Sequence, residues 1–323
     1  MKSDERLTVA AFLTDWLARI KARVRASTHK RYGEQLAHII KALGRVRLVK
    51  LTPAQIEGVH AHLLASGLSG TSVAHINTVL NGAMKDAVRK RILAINPCEA
   101  VTAPRASTEE IRPLDGDQAN SFLLAARGER FEALFILALR TGMRRGELCA
   151  LKWQDVNLER GTLLVRASLR AMKGGGYEFT PPKTKAGRRT IALKPAVVEA
   201  LKSHRARQNE EWLFLGPAWQ ENGLVFPSTI GTPQDSQNLS RIAFKRVLDK
   251  AGLPRETRFH DLRHTCATLL LSHGTDTKTV SDLLGHSTIA ITLNTYGHVL
   301  PNMRERAADI MDAILTPSLA LES

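Results

Sequence analysis

Cysteine is scarce in this chain of 323 residues: Cys98, Cys149 and Cys266 are an odd number at spacings that match no metal site. That excludes a disulfide framework and points to a reducing compartment. Long apolar runs are missing as well. The longest, Ala133–Leu139, has the length of a core helix and falls far short of the ~20 residues that cross a bilayer. The opening MKSDERLTVAAF carries acidic residues and no apolar signal core, so a cytoplasmic protein with no membrane partner is expected. Aromatics make up 5%, with three tyrosines, and no repeat or low-complexity stretch is present. Carboxylates are the under-represented charge: 31 Asp+Glu against 46 Lys+Arg leave +15, with a pI near 10.1. That excess points to a polyanion, nucleic acid before an acidic membrane, with a merely soluble basic protein as the plain alternative. The remaining composition is ordinary. Its 43% hydrophobic and 24% charged content exclude disorder over the whole length, and the length suggests two domains.

From residue 8 to about 95 the periodicity predicts four helices. Val9, Phe12, Leu13, Trp16, Leu17 and Ile20 form an apolar stripe. A second helix follows Ser27-Thr28 and ends near Gly44. A third opens at Thr52-Pro53 with Gln55 completing a capping box, and stops at Gly67. A fourth runs from about Thr71 to Leu93, closed by Asn96-Pro97. Residues 1–100 hold 16 Lys+Arg and 7 Asp+Glu, so +9 of the +15 lies there. Thr28, Lys30 and Arg31 on the second helix, and Arg89 and Lys90 on the fourth, are candidate contacts to a duplex backbone, against the alternative of a solvated polar face.

Residues 101–115, with two prolines and little periodicity, read as an exposed linker. Over 116–323 the pattern gives helices near 117–127, 130–141, 196–210, 237–251, 260–272, 276–284, 288–297 and 303–315. Strands are expected at Thr162–Arg166, Tyr177–Pro181 and Arg189–Leu193, the last two joined as a hairpin whose basic tip is Lys183–Arg188. The fold class expected is mainly α with a small antiparallel β-sheet, in two domains.

Three short clusters carry chemistry. The first is Thr141-Gly-Met-Arg144-Arg145-Gly-Glu147, where Glu147 lies one helical turn after Arg144 and can orient its guanidinium; an Arg pair at a helix start is otherwise a surface feature. The second is His260-Asp-Leu-Arg263-His264, with positions 260, 263 and 264 on one helical face. A zinc site is disfavoured, since the Glu of HExxH and a third ligand are missing, whereas an Arg flanked by two His suits a phosphate. The third is Leu284-Gly-His286-Ser287, with Tyr296 ten residues beyond the His.

Taken in order, GMRRGE, KTKAGR, HDLRHT and LGHS with a following TY resemble the tyrosine recombinase (phage integrase) family over nearly the whole chain. The resemblance implies a helical core-binding (SAM-like) domain over 1–100 and a tyrosine-recombinase catalytic domain over 116–323. It also implies catalytic roles for Arg144, Lys183, His260, Arg263 and His286, with Tyr296 as nucleophile and Glu147 in support. Lys185 stays open as the alternative to Lys183. The His286-to-Tyr296 interval is one residue longer than in Xer-like members and similar to many phage and genomic-island integrases. The implied function is site-specific cutting and rejoining of DNA through a covalent 3′-phosphotyrosyl intermediate, serving integration or excision of a mobile element. Implied partners are double-stranded DNA, three further copies in a tetramer on DNA, and accessory bending or excision factors, in a cytoplasmic, nucleoid-associated setting.

The chemistry fits the residues. A phenol can hold a phosphodiester bond ready for rejoining, so no ATP is needed. Two guanidiniums can take the charge on the non-bridging oxygens, while a lysine can give its proton to the leaving oxygen as arginine cannot. No cofactor and no metal are expected. Ala307, Ile310, Met311, Ile314 and Leu315 form a stripe that packs either on its own domain or, as the resemblance suggests, on a neighbouring protomer. With the first helix expected near residue 8, the additional N-terminal arm-binding domain of many phage integrases is not expected. A type IB topoisomerase, with a similar Arg/Lys/His/Tyr set, and a non-catalytic DNA-binding protein are the competing readings.

Overall fold

The computed structural model describes residues 6–104, 111–172, 175–182, 184–297, 311–312 and 315. The chain divides into two compact units, Met1–Glu110 and Ile111–Ser323.

The first unit is built from α1 (Val9–Ile20), α2 (Ala26–Leu43), α3 (Pro53–Ala65) and α4 (Gly70–Arg89). Side-chain caps start three of them. Thr8 accepts from the backbone of Ala11, Ser69 from Ser72, and Thr52 and Gln55 form a reciprocal box at α3. The stripe of α1 (Val9, Phe12, Leu13, Trp16) meets Leu36 and Ile39 of α2, Ile56 of α3, and Val73, Ile76, Leu80 and Met84 of α4. Each such side chain, fully buried, contributes roughly 1.5–3 kcal/mol. Trp16 also stacks on Tyr32 with ring centroids 6.2 Å apart. The fourth helix stops at Arg89, short of the expected Leu93, and the chain turns at Arg91 with φ +59°.

The expected exposed linker is corrected at both ends. Val101 packs against the first core, and the Thr102 amide donates to Glu57. Leu114 is buried in the second unit, where its amide donates to the Thr265 hydroxyl at 2.9 Å. Isolated Pro and small residues hid these anchors, because each depends on a partner distant in sequence.

The second unit begins with α5 (Gly116–Ala125), α6 (Glu132–Thr141) and α7 (Arg145–Ala150). Five short strands follow: β1 (Val156–Asn157), β2 (Thr162–Val165), β3 (Ser168–Ala171), β4 (Tyr177–Thr180) and β5 (Arg189–Ala192). They make two antiparallel sheets, one ordered β1-β2-β5 and one formed by β3-β4. The expected pairing of Tyr177–Pro181 with Arg189–Leu193 is therefore wrong. Strand β4 pairs with β3, Leu169 opposite Phe179, and β5 pairs with β2, Leu163 opposite Ile191. Strands β4 and β5 thus belong to different sheets and do not form a hairpin.

Next come α8 (Pro195–Leu215), α9 (Ser236–Asn238), a π-turn over Leu239–Ala243, α10 (Phe244–Lys250), α11 (Asp261–Ser272), α12 (Thr277–Leu284) and α13 (Ile289–Tyr296). Four rings, Phe122, Phe135, Phe244 and Phe259, pack edge-on or tilted and tie α5, α6 and α10 to the approach of α11. Of the C-terminal stripe, Ala307, Ile310 and Ile314 lie outside the described residues; Met311 and Leu315 are helical and exposed. Among the described residues no helix is long and apolar enough to cross a membrane.

Candidate active site

Three turns of the second unit converge. The first lies between α6 and α7. Gly142 ends α6 at φ +61°, a conformation that favours glycine, and a Cβ there would stand 2.4 Å from Leu284 Cδ2. The turn is thus pressed against α12 and delivers Arg144 and Glu147. Arg144 donates Nη1 to Glu147 Oε1 at 2.8 Å, and its amide donates to Oε2 at 3.0 Å. Its other arm reaches the Gly285 carbonyl at 3.4 Å. Arg145 points elsewhere, donating to Ser240 in the π-turn. Only one of the two adjacent arginines faces the site.

Glu147 is buried between two cations. Arg189 of β5 donates Nη2 to Glu147 Oε2 at 2.9 Å and Nε to the Leu283 carbonyl at 2.6 Å. Burial pushes the Glu147 carboxyl up, but the hydrogen bond and charge of Arg189, then Arg144, outweigh it and hold the group below its ordinary range. The expected Arg144–Glu147 contact is therefore one half of a larger arrangement. A buried cation contributed by a strand 42 residues away gives no local signal.

The second turn opens α11, with His260 at its N-cap position. Arg263 is 3% exposed and donates Nη1 to the Gly142 carbonyl at 2.7 Å, while its Nη2 has no hydrogen-bond partner among the described residues. Burial and the nearby Arg144 lower its proton affinity, yet a guanidinium remains charged at neutral pH. The outer edge of His260 meets solvent. Desolvation of its inner edge, with the charges of His264, Arg263 and Arg144, brings it to about 4.

The third turn links α12 to α13. Gly285 has φ +67°, and a Cβ there would stand 2.8 Å from Arg189 Nη1. His286 follows, and its Nδ1 is 2.8 Å from the hydroxyl of the buried Thr292. Burial, then Arg263, Arg144 and Arg189, hold His286 at about 4. Both histidines are neutral at pH 7. At the end of α13, Tyr296 is 1% exposed among Ala267, Leu271, Val280 and Leu284, and its hydroxyl is 2.8 Å from His264 Nδ1. Burial pushes the phenol up to about 12.

The fold therefore brings Arg144, His260, Arg263, His286 and Tyr296 together from α6–α7, α11 and α12–α13. Lys183 lies outside the described residues, and Lys185 is exposed at the start of a short turn. Sequence reasoning missed Arg189 and Thr292, and it noted His264 only as one face of a motif. Among the described residues no group of three or more His, Cys, Asp or Glu side chains is placed to hold a metal ion. The three cysteines are buried and unbonded, each thiol pushed up to about 12 chiefly by burial.

In the first unit, Lys30 and Arg31 are exposed and Thr28 is half-buried. Arg89 and Lys90 differ, because both pair with Asp86, which Arg19 also reaches at 3.5 Å.

Residues 112–303 match the family described as phage integrase, and residues 8–64 match the N-terminal SAM-like domain of phage integrases. The chain is 32% identical to a tyrosine recombinase XerC-like protein of Caldanaerobacter subterraneus subsp. tengcongensis, over 95% of this chain and 83% of that one. In fold it is similar to the Tn1549 transposon integrase solved with transposon right end DNA, at TM-score 0.80 and 25% identity, over 96% of this chain and 100% of that one. It is also similar in fold to the lambda integrase tetramer bound to a Holliday junction, at TM-score 0.64 and 24% identity, over 89% and 80% of the two chains.

Proposed function

This chain belongs to the phage integrase family, enzymes that cut and rejoin DNA strands, and we propose that it does so at the cleft between the Gly142 turn, the start of α11 and the Gly285 turn. One observation carries the reading: Arg144, Arg263, His260 and His286, neutral or cationic donors, gather beside a buried tyrosine, with no free carboxylate among the described residues there.

In this reading a DNA phosphate enters between Arg144 and Arg263. The buried Nη2 of Arg263 and the part-exposed fork of Arg144 donate to the non-bridging oxygens, where charge grows as phosphorus becomes five-coordinate. Where Thr292 donates its hydroxyl to His286 Nδ1, the ring proton sits on Nε2 and gives a further donor, with His260 supplying another. Tyr296 Oη bonds to phosphorus while the bond from phosphorus to the 5′ oxygen breaks. The phenol loses its proton, the 5′ oxygen gains one, and the DNA is left as a 3′-phosphotyrosyl ester with a free 5′-hydroxyl. Lys183 is assigned the general-acid role, with Lys185 as the alternative. Attack by a different 5′-hydroxyl reverses the steps and completes strand exchange, with no external energy source.

The substrate is double-stranded DNA at the junctions of a mobile element. Four copies acting on paired sites, accessory bending or excision factors, and a cytoplasmic location belong to the same reading. The fold likeness to lambda integrase supports the first of these, and the free thiols fit a reducing location. Thr28, Lys30 and Arg31 remain the proposed backbone contacts of the first unit, with Arg89 and Lys90 contributing less because Asp86 already faces them.

The test is adduct formation on a nicked duplex that spans the element's junction. Native protein forms a covalent complex resistant to detergent; Tyr296→Phe binds the duplex and forms none. An adduct that persists in the variant overturns the assignment.

A further inference from the structure

We propose that His264 orients the nucleophile: its Nδ1 accepts the Tyr296 hydroxyl and fixes the phenol relative to the incoming phosphate. The inference deepens the function proposed above and rests on its reading of Tyr296. The two atoms are 2.8 Å apart, and the rings lie 5.6 Å apart at 58°. A buried phenol hydroxyl needs a partner, and here that partner is a titratable ring directly beside Arg263 in the chain.

His264 is itself held from several sides. It follows Arg263 on α11, so the turn that fixes Arg263 on the Gly142 carbonyl also fixes the start of its side chain. Its ring meets His260 edge-to-face at 4.9 Å and 89°. The phenol is enclosed by Ala267 and Leu271 from α11 and Val280 and Leu284 from α12, which leaves the hydroxyl as its polar end. A chain of contacts thus runs from His260 through His264 to Tyr296.

A neutral His264 ring is able to accept at Nδ1, in the tautomer that carries its proton on Nε2. Burial, then the cations Arg263 and Arg258, outweigh Asp261 and keep His264 below its ordinary value, so the ring is neutral at pH 7 and one nitrogen carries a lone pair. Were Nδ1 the donor, its N–H would occupy a lone pair of the oxygen that must attack phosphorus. With Nδ1 accepting, both lone pairs of Oη stay available and its hydrogen is turned away from the phosphate. The role differs from that of His260 and His286, which are placed to meet the phosphate and not the phenol.

The test uses full-length native protein, His264→Phe, His264→Asn and Tyr296→Phe, on the nicked junction duplex at saturating protein. Phenylalanine keeps the ring and removes the acceptor; asparagine places an amide oxygen where Nδ1 stood. His264→Phe is expected to form adduct roughly 10²-fold more slowly than native, the cost of a misplaced reacting group. His264→Asn is expected to recover most of that loss, with binding unchanged in both. An independent readout needs no DNA. With ring-carbon-labelled tyrosine, the oxygen-bearing carbon gives three signals, and the one missing in Tyr296→Phe belongs to Tyr296. That signal should move in His264→Phe and stay near its native place in His264→Asn. Native cleavage rate in His264→Phe, a faster rate, or an unmoved signal overturns the inference alone. Adduct in Tyr296→Phe overturns it together with the nucleophile assignment.

Discussion

The two units hold positive charge in opposite ways. In the first, Lys30 and Arg31 are exposed to solvent, and Arg19, Arg89 and Lys90 gather on one carboxylate, Asp86, at its surface. In the second, Arg189 and Arg263 are buried, Arg144 is half-buried, and all are fixed by Glu147 or by the backbone carbonyls of Gly142, Leu283 and Gly285. A free surface cation is screened by salt and loses little when moved, which suits a grip on any phosphate backbone. A buried cation held by fixed partners has been desolvated and oriented on folding, so it needs no rearrangement when charge develops on a substrate. Under the proposed function the same residue type serves affinity in one unit and rate in the other.

The widest gap between the units should appear in the rate. Arg263→Ala removes a fixed donor and should slow adduct formation about 10²–10³-fold, equivalent to about 3–4 kcal/mol, while the salt dependence of binding stays at its native slope. A rate loss that merely follows weaker binding would erase the distinction between the units.

Next in size is a stability effect. Glu147→Gln leaves the buried Arg189 facing a neutral amide and should cost about 3 kcal/mol in urea unfolding. The native chain should show the same contribution disappear in acid. The folded-state carboxyl lies below its ordinary 4.5, so its stabilisation is complete above that value and is lost as pH falls through the lower folded value. A variant as stable as native would mean that Glu147 does not fasten the cations.

The site histidines give a slope of the opposite origin. His260 and His286 sit at about 4 in the folded chain against 6.5 when free, so the unfolded chain takes up protons first. Melting temperature should therefore decline as pH drops from 6.5 towards 4 and decline less when both histidines are replaced by asparagine. An identical decline in that variant would place the histidines outside the desolvated cleft.

Smallest are the surface charges. Lys30→Gln and Arg31→Gln should each lower the slope of log affinity against log salt by about 0.9 and leave the rate at saturation unchanged. Arg89→Gln should lower it less, since Asp86 already neutralises that side chain, and Asp86→Asn should raise it. Equal effects at Lys30 and Arg89 would show that the carboxylate does not restrain its neighbours.

Helices with a one-sided apolar stripe were legible in the sequence almost to their ends, because 3.6-residue periodicity and a cap such as Thr52 act within a few residues. Strand partners were not. Adjacent strands invite a hairpin, yet β4 returns to β3, whose SLRA stretch is four residues long and has no β-branched residue to announce it. The ordered motifs located five side chains of the cleft that the structure brings together. What holds those side chains came from far away in the chain: Arg189 to Glu147, Arg263 to Gly142, His264 to Tyr296. The pairing of Arg89 and Lys90 was hidden for a similar reason, since residue type shows a cation but not that three of them share one carboxylate.

The most direct test of the account identifies the atom that becomes bonded to DNA. The covalent complex trapped on the nicked junction duplex is digested with protease and nuclease, and the nucleotide-bearing peptide is sequenced by mass spectrometry. The chain has three tyrosines, Tyr32, Tyr177 and Tyr296. The account predicts a single modified peptide, with the nucleotide on Tyr296. Modification of Tyr32 or Tyr177, or of a residue other than tyrosine, would contradict it.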